Sequence, residues 1–130
     1  MIEKLTEAFK REDVKKAVLD DKWFKINKEL NIDSAGFCYA ASEVIYRKTG
    51  EKEIYKLGRI SEKKWDDGGH CYLIKKSNDE KVDITKNQYT ERNISIPYEL
   101  AHIGGGFRYP NKTRIAEILS EMAGLGSFDK

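Results

Sequence analysis

Proline and cysteine are both scarce in this 130-residue chain, with two of each. Cys38 and Cys71 are too few for the disulfide framework of a small secreted scaffold, so both are expected as free thiols. No sign of charge dominates either: 24 Lys and Arg stand against 22 Asp and Glu, and the formal net charge of +2 gives no bulk attraction to nucleic acid or to an anionic membrane. Long apolar runs are missing. Nothing approaches the roughly 20 residues of a membrane span, and Met1-Ile2-Glu3-Lys4-Leu5-Thr6-Glu7 holds no apolar signal segment, so a cytoplasmic protein without a membrane partner is expected. What is present is a composition 39% hydrophobic and 35% charged, with 7 Tyr, 5 Phe and 2 Trp, which suits one compact domain over residues 1–130.

Periodicity divides the chain into a helical start, a mixed middle and a helical end. Ile2, Leu5, Phe9, Val14, Ala17, Val18, Ile26 and Leu30 recur mostly at three- and four-residue steps, which predicts a helical N-terminal region over 1–30. Its charged stretches, Lys10-Arg11-Glu12-Asp13 and Lys15-Lys16, read as solvated faces. The capping-type residues of Asn31-Ile32-Asp33-Ser34 then introduce a helix with the stripe Phe37, Ala40, Ala41, Val44 and Ile45, and Gly50 stops it. Past Gly50 come short aromatic and β-branched runs, Ile54 to Leu57, His70 to Ile74 and Lys81 to Thr85, the last two forming a hairpin around the polar Ser77-Asn78-Asp79-Glu80. Gly104-Gly105-Gly106 reads as a loop with His102 before it, and a final helix is expected over 111–123 with Ile115, Ile118, Leu119 and Met122 on one face. The order defines an α+β fold, a helix on a small antiparallel sheet with additional N- and C-terminal helices.

Three residues fall where cysteine chemistry needs them. Cys38 sits at a helix start, where unpaired backbone N–H groups and the positive end of the dipole favour a thiolate. His70 follows Gly68-Gly69 at the mouth of a strand and suits a general base. Asp83 stands on the returning strand, where a carboxylate orients the ring and holds its charge. A tight turn on Asn78-Asp79 pairs His70 with Asn87 rather than Asp83, so Asp83 needs an earlier turn or a bulge, and Asn87 is the reserve orienter. Strand alternation puts Tyr72 and Ile74 on the face of His70, and Cys71 and Leu73 on the core face against Val44 and Ile45. A zinc site built from Cys38, His70, Cys71 and His102 lacks any Cys-x-x-Cys or His-x-x-x-His pair. The glycine triplet likewise lacks the lysine and hydroxyl of a phosphate loop. No metal and no cofactor are therefore implied, and no aromatic-studded basic stretch points to nucleic acid.

The segments Cys38-Tyr39-Ala40-Ala41-Ser42-Glu43, Gly69-His70-Cys71-Tyr72-Leu73 and Val82 to Tyr89 together resemble a family of small bacterial and phage proteins. That family carries a Cys-Tyr-x-Ala-Ser-Glu helix, a Gly-x-His strand and an Asp-x-Thr-x-x-Gln-aromatic segment, and has no settled activity. Gly106 to Ala116 resembles its Gly-Phe, Pro-Ser and Arg-Ala pattern, so the likeness runs from about Gly36 to Leu119. One departure is Cys71, where family members often have tryptophan. More distantly, the Cys, His, Asp order is similar to the papain-like and transglutaminase-like superfamily of cysteine acyl-transfer enzymes. That resemblance implies a papain-like core over 34–123, with Cys38 as nucleophile, His70 as base and Asp83 as orienter, in a bacterial or phage-infected cell.

The expected activity is that of an amidase, deamidase or peptidase on a protein or peptide-like amide. The Cys38 N–H would be one oxyanion donor, and Asn31, Gln88 and a backbone amide near Gly68 are candidates for the second. The alternative is a non-catalytic binding protein on the same scaffold.

Overall fold

The computed structural model describes residues 1–61, 69–104, 107 and 114–128. The helical start divides into α1 (Ile2–Phe9), α2 (Glu12–Val18) and α3 (Asp21–Leu30). Leu5, Ala8 and Phe9 of α1 and Val14 and Val18 of α2 face inward at the helical period. Asp20 caps α3 by accepting from the Trp23 N–H at 2.8 Å, and Asn31 ends it in the left-handed conformation (φ 56°). One of the residues expected on a solvated face does not lie there. Lys15 is buried, because its ammonium reaches Asp33 at 2.7 Å, 18 positions along the chain.

Helix α4 (Cys38–Lys48) begins later than the capping signal suggests. Asn31 closes α3 instead, and the stretch up to Phe37 is a pair of turns, Ala35 N–H to Ile32 and Phe37 N–H to Ser34. Gly36 permits them at φ +92°, where a β-carbon would also lie 2.9 Å from Leu19. The buried amide of Asn27 donates to the carbonyls of Asp33 (3.1 Å) and Ala35 (2.9 Å), and Phe37 stacks on Phe9 with ring centroids 4.5 Å apart. The segment that delivers Cys38 is thereby fastened to the N-terminal helices. Gly50 follows α4 with positive φ, as its stop signal requires.

Strands β1 (Tyr55–Ile60), β2 (His70–Lys75), β3 (Lys81–Val82) and β4 (His102–Ile103) form an antiparallel sheet in the order β3-β2-β1-β4. One face packs Leu57, Cys71 and Leu73 with Ala40, Ala41, Val44 and Ile45 of α4. The other carries Ile60, Tyr72 and Ile74 against Ile96, Tyr98 and Ala101. The alternation along β2 is thus the one read from the sequence. Gly58 faces Tyr72 across the ladder, and a β-carbon there would lie 2.5 Å from the Tyr72 ring.

The later elements differ from the sequence reading in three places. The returning strand stops at Val82, and after a turn the chain enters the short helix α5 (Asn87–Thr90), because the bonds that would extend the ladder are replaced by Lys86 N–H to Asp83 and Gln88 N–H to Thr85. His102 is not in a loop but in β4, paired with Arg59, and remains exposed. The final helix α6 (Arg114–Met122) buries Ala116, Leu119 and Ser120 and leaves Ile115 exposed. Ala116 is small enough for close approach, and Ser120 is satisfied by the Gly126 carbonyl at 2.6 Å, so this face turns inward. Gly105, Gly106 and residues 111–113 of the expected loop and helix lie outside the described residues, as does Gly68. The architecture is α+β, and no helix among the described residues is long and apolar enough to cross a membrane.

Candidate active site

The site is assembled by the hairpin and the start of α4. Leu73 pairs with Val82 and Ile74 with Lys81, so the turn is centred one residue earlier than a tight turn on Asn78-Asp79. The Lys75 N–H donates to the Glu80 carbonyl, the Asp79 N–H to the Lys75 carbonyl, and Asp79 adopts φ +58°, which closes a four-residue loop. Asp83 consequently lies opposite Tyr72 rather than Ile74, two residues nearer His70 on the same face, and its Oδ2 lies 2.7 Å from His70 Nε2. Both side chains are sealed, the imidazole 0% and the carboxylate 3% exposed.

Cys38 is the first residue of α4 and half-buried, and its side chain is among the groups that raise the His70 imidazole. With Nε2 given to Asp83, Nδ1 is the ring nitrogen left for it. Burial alone would push the imidazole below its ordinary value of 6.5. The hydrogen bond to Asp83, helped by Cys38 and by the charges of both, more than reverses this and raises it to about 9. Cys71 lies on the other face of β2, and burial pushes its thiol upward, away from reactivity.

Two tyrosines complete the surroundings. Tyr98 donates its O–H to Asp83 Oδ2 at 2.7 Å, the same oxygen that faces His70. Tyr89, in α5, packs edge-on against the imidazole with centroids 5.0 Å apart and donates to the Gly69 carbonyl at 3.1 Å, which fixes the residue before His70. Tyr89 ends the Asp-x-Thr-x-x-Gln-aromatic segment, so its position was marked in the sequence though its task was not. Tyr98 carried no mark: it lies 15 residues past Asp83 and reaches it only through the tertiary fold.

The remaining candidates are placed around this cluster rather than in it. Asn87 accepts from the Ser34 hydroxyl at 2.6 Å and donates to Glu91 at 3.3 Å. It ties α5 to the segment before Cys38, while Asp83 holds the ring nitrogen for which Asn87 was the reserve. Asn31 and Asn87 border a cavity of about 360 Å³ that Asp83 also lines. Gln88 is buried and gives its amide to the Thr85 carbonyl at 3.1 Å. Among the described residues no group of three His, Cys, Asp or Glu is arranged to hold a metal ion. Glu43, the last residue of the Cys-Tyr-x-Ala-Ser-Glu stretch, is fully buried and binds Arg47 at 2.7 Å, which bolts α4 internally.

No protein-family model, curated protein or solved structure matches the chain. The chemistry of the site therefore rests on its own geometry.

Proposed function

We propose that the chain is a cysteine-dependent acyl-transfer enzyme, an amidase, deamidase or peptidase with a papain-like or transglutaminase-like core, acting on a protein or peptide-like amide. The observation that carries this reading is the sealed 2.7 Å contact between His70 Nε2 and Asp83 Oδ2, with the other ring nitrogen left to a cysteine at a helix start. A carboxylate fixed on one nitrogen sets the tautomer and stabilises the imidazolium that forms when the other takes a proton.

In the proposed reaction the Cys38 proton passes to His70 Nδ1 before attack, in keeping with an imidazole raised to about 9; sulfur then bonds to the amide carbon, and the carbonyl π pair moves to oxygen. The Cys38 backbone N–H, which at the head of α4 has no intrahelical partner, donates to that oxyanion. Collapse breaks the C–N bond, and the leaving amine takes the proton from His70. Water then attacks the thioester, giving one proton to His70 and releasing the acid with Cys38 restored. Gln88, with an amide already given to Thr85, is the weaker choice for a second oxyanion donor, and Asn31 lies toward the cavity beside Asp83.

The test is chloroacetamide labelling at neutral pH with peptide mapping. Cys38 reacts at least about tenfold faster than Cys71, and His70→Ala slows Cys38 itself at least about tenfold while the buried Cys71 keeps its rate. Equal labelling of the two thiols, or a Cys38 rate unchanged in His70→Ala, overturns the enzyme reading in favour of a binding module on the same scaffold.

A further inference from the structure

The Asp83 carboxylate receives two donors on one oxygen. His70 Nε2 and the Tyr98 hydroxyl each lie 2.7 Å from Oδ2. Oδ1, equally enclosed, has no hydrogen-bond partner among the described residues. An oxygen that accepts from two donors shares its charge between them, so each draws charge that the other would otherwise receive. Tyr98 is well placed for this. Its ring packs edge-on against Tyr72 at 5.0 Å, Tyr72 lies over His70 at 6.0 Å, and the Lys81 ammonium stands 5.0 Å above the Tyr98 ring. The backbone on either side is braced by the Tyr98 N–H to Ile96 and the Ala101 N–H to Tyr98.

We propose that Tyr98 is a positioning residue that tempers the Asp83–His70 pair: its hydroxyl selects the carboxylate oxygen and draws charge from it, so that His70 can release the proton it has taken from Cys38. The inference rests on the acyl-transfer reading, in which that release protonates the leaving amine. A buried carboxylate with His70 as its sole partner would hold the imidazolium too firmly for a general acid. The hydroxyl interacts more strongly with Asp83 when His70 is neutral than when the imidazolium already neutralises it, so it favours proton release. Tyr98 stays protonated for this task, since burial and Asp83 push its phenol upward from 10. Among the described residues, Cys38 from α4, Tyr72 from β2 and Tyr89 from α5 also face the imidazole.

The experiment follows the His70 ring protons by NMR against pH, with His102→Gln separating the two histidines of the chain. Tyr98→Phe keeps the ring contacts with Tyr72 and Lys81 and raises the His70 midpoint by about half a pH unit or more. Site-specific 3-fluorotyrosine at position 98, a stronger donor of the same shape, lowers it and keeps the test alive should the phenylalanine variant fold poorly. Tyr89→Phe, which loses a hydroxyl bound to Gly69 instead of Asp83, leaves it in place. An unchanged or lowered midpoint in Tyr98→Phe, an unchanged or raised one with the fluorinated residue, or an equal shift in Tyr89→Phe overturns the proposal. The readout is proton affinity, so it fails or succeeds separately from Cys38 labelling.

Discussion

Asp83 sits diagonally across the hairpin from His70. The pairs Leu73 with Val82 and Ile74 with Lys81, continued by one step, set Asp83 opposite Tyr72, and its carboxylate returns along the strand to reach the imidazole at 2.7 Å. A diagonal neighbour on the same face of an antiparallel pair is within reach of long or ring-bearing side chains. A one-residue slip in register would send Asp83 to the face of α4 and separate the pair.

Asp83→Ala shifts the pH dependence of Cys38 alkylation, because the imidazolium loses its anion. Asp83→Asn, which can still orient the ring, shifts it less, and Asn87→Ala leaves it unchanged, since Asn87 touches Ser34 and Glu91. Rates of iodoacetamide labelling between about pH 5 and 9 check all three.

Stability should fall on the alkaline side through His70. Its folded value, about 9, lies above its ordinary 6.5. The stabilisation is therefore complete below about pH 6.5 and lost as pH rises through about 9, a contribution on the order of 3 kcal/mol. Thermal melts from pH 6 to 9.5 should show Tm declining in the wild type and declining less in His70→Gln.

Glu43→Ala should cost about 3–5 kcal/mol in urea unfolding, because it leaves the Arg47 guanidinium, 3% exposed, without its closest anion. Arg47 also reaches Glu51 at 3.2 Å, so Glu51→Ala, at the half-exposed end of the same network, should cost less than half as much.

Gly58→Ala places a carbon where the Tyr72 ring now lies, 2.5 Å from its nearest ring atom. The ring must move, at about 1–3 kcal/mol of stability. Since Tyr72 lies over His70 and against Tyr98, the same variant should also slow Cys38 labelling, measured beside its urea midpoint.

The parts of the site legible in the sequence are those fixed by local rules. Cys38 follows turn-type residues into an apolar stripe, His70 opens a strand whose alternation separates Tyr72 from Cys71, and Asp83 lies on the return. The register was not legible, because the polar Ser77-Asn78-Asp79-Glu80 accommodates more than one loop, and the choice depends on Asp79 taking a left-handed conformation. β3 ends early in the local turn bonds of Lys86 to Asp83 and Gln88 to Thr85, and the α5 that follows is tied by Asn87 to Ser34, 53 positions away. Lys15 looked like any lysine of an exposed face until its partner Asp33 was known, and Tyr98 gains its role only from where Ile96 to Ala101 covers the sheet. Long-range pairing of this kind leaves no periodic trace.

The fastening of residues 31–37 means that α4 is not a self-sufficient cassette. Asn27 grips its approach from α3, Lys15 from α2 and Phe9 from α1, while Ser34 hands the same stretch to Asn87 on the far side. A fragment beginning at residue 34 would keep Cys38, His70 and Asp83 yet lose the jig that aims the first at the second. In this protein the first thirty residues act as the tooling of the proposed nucleophile, and wear in them would register as lost aim before lost fold.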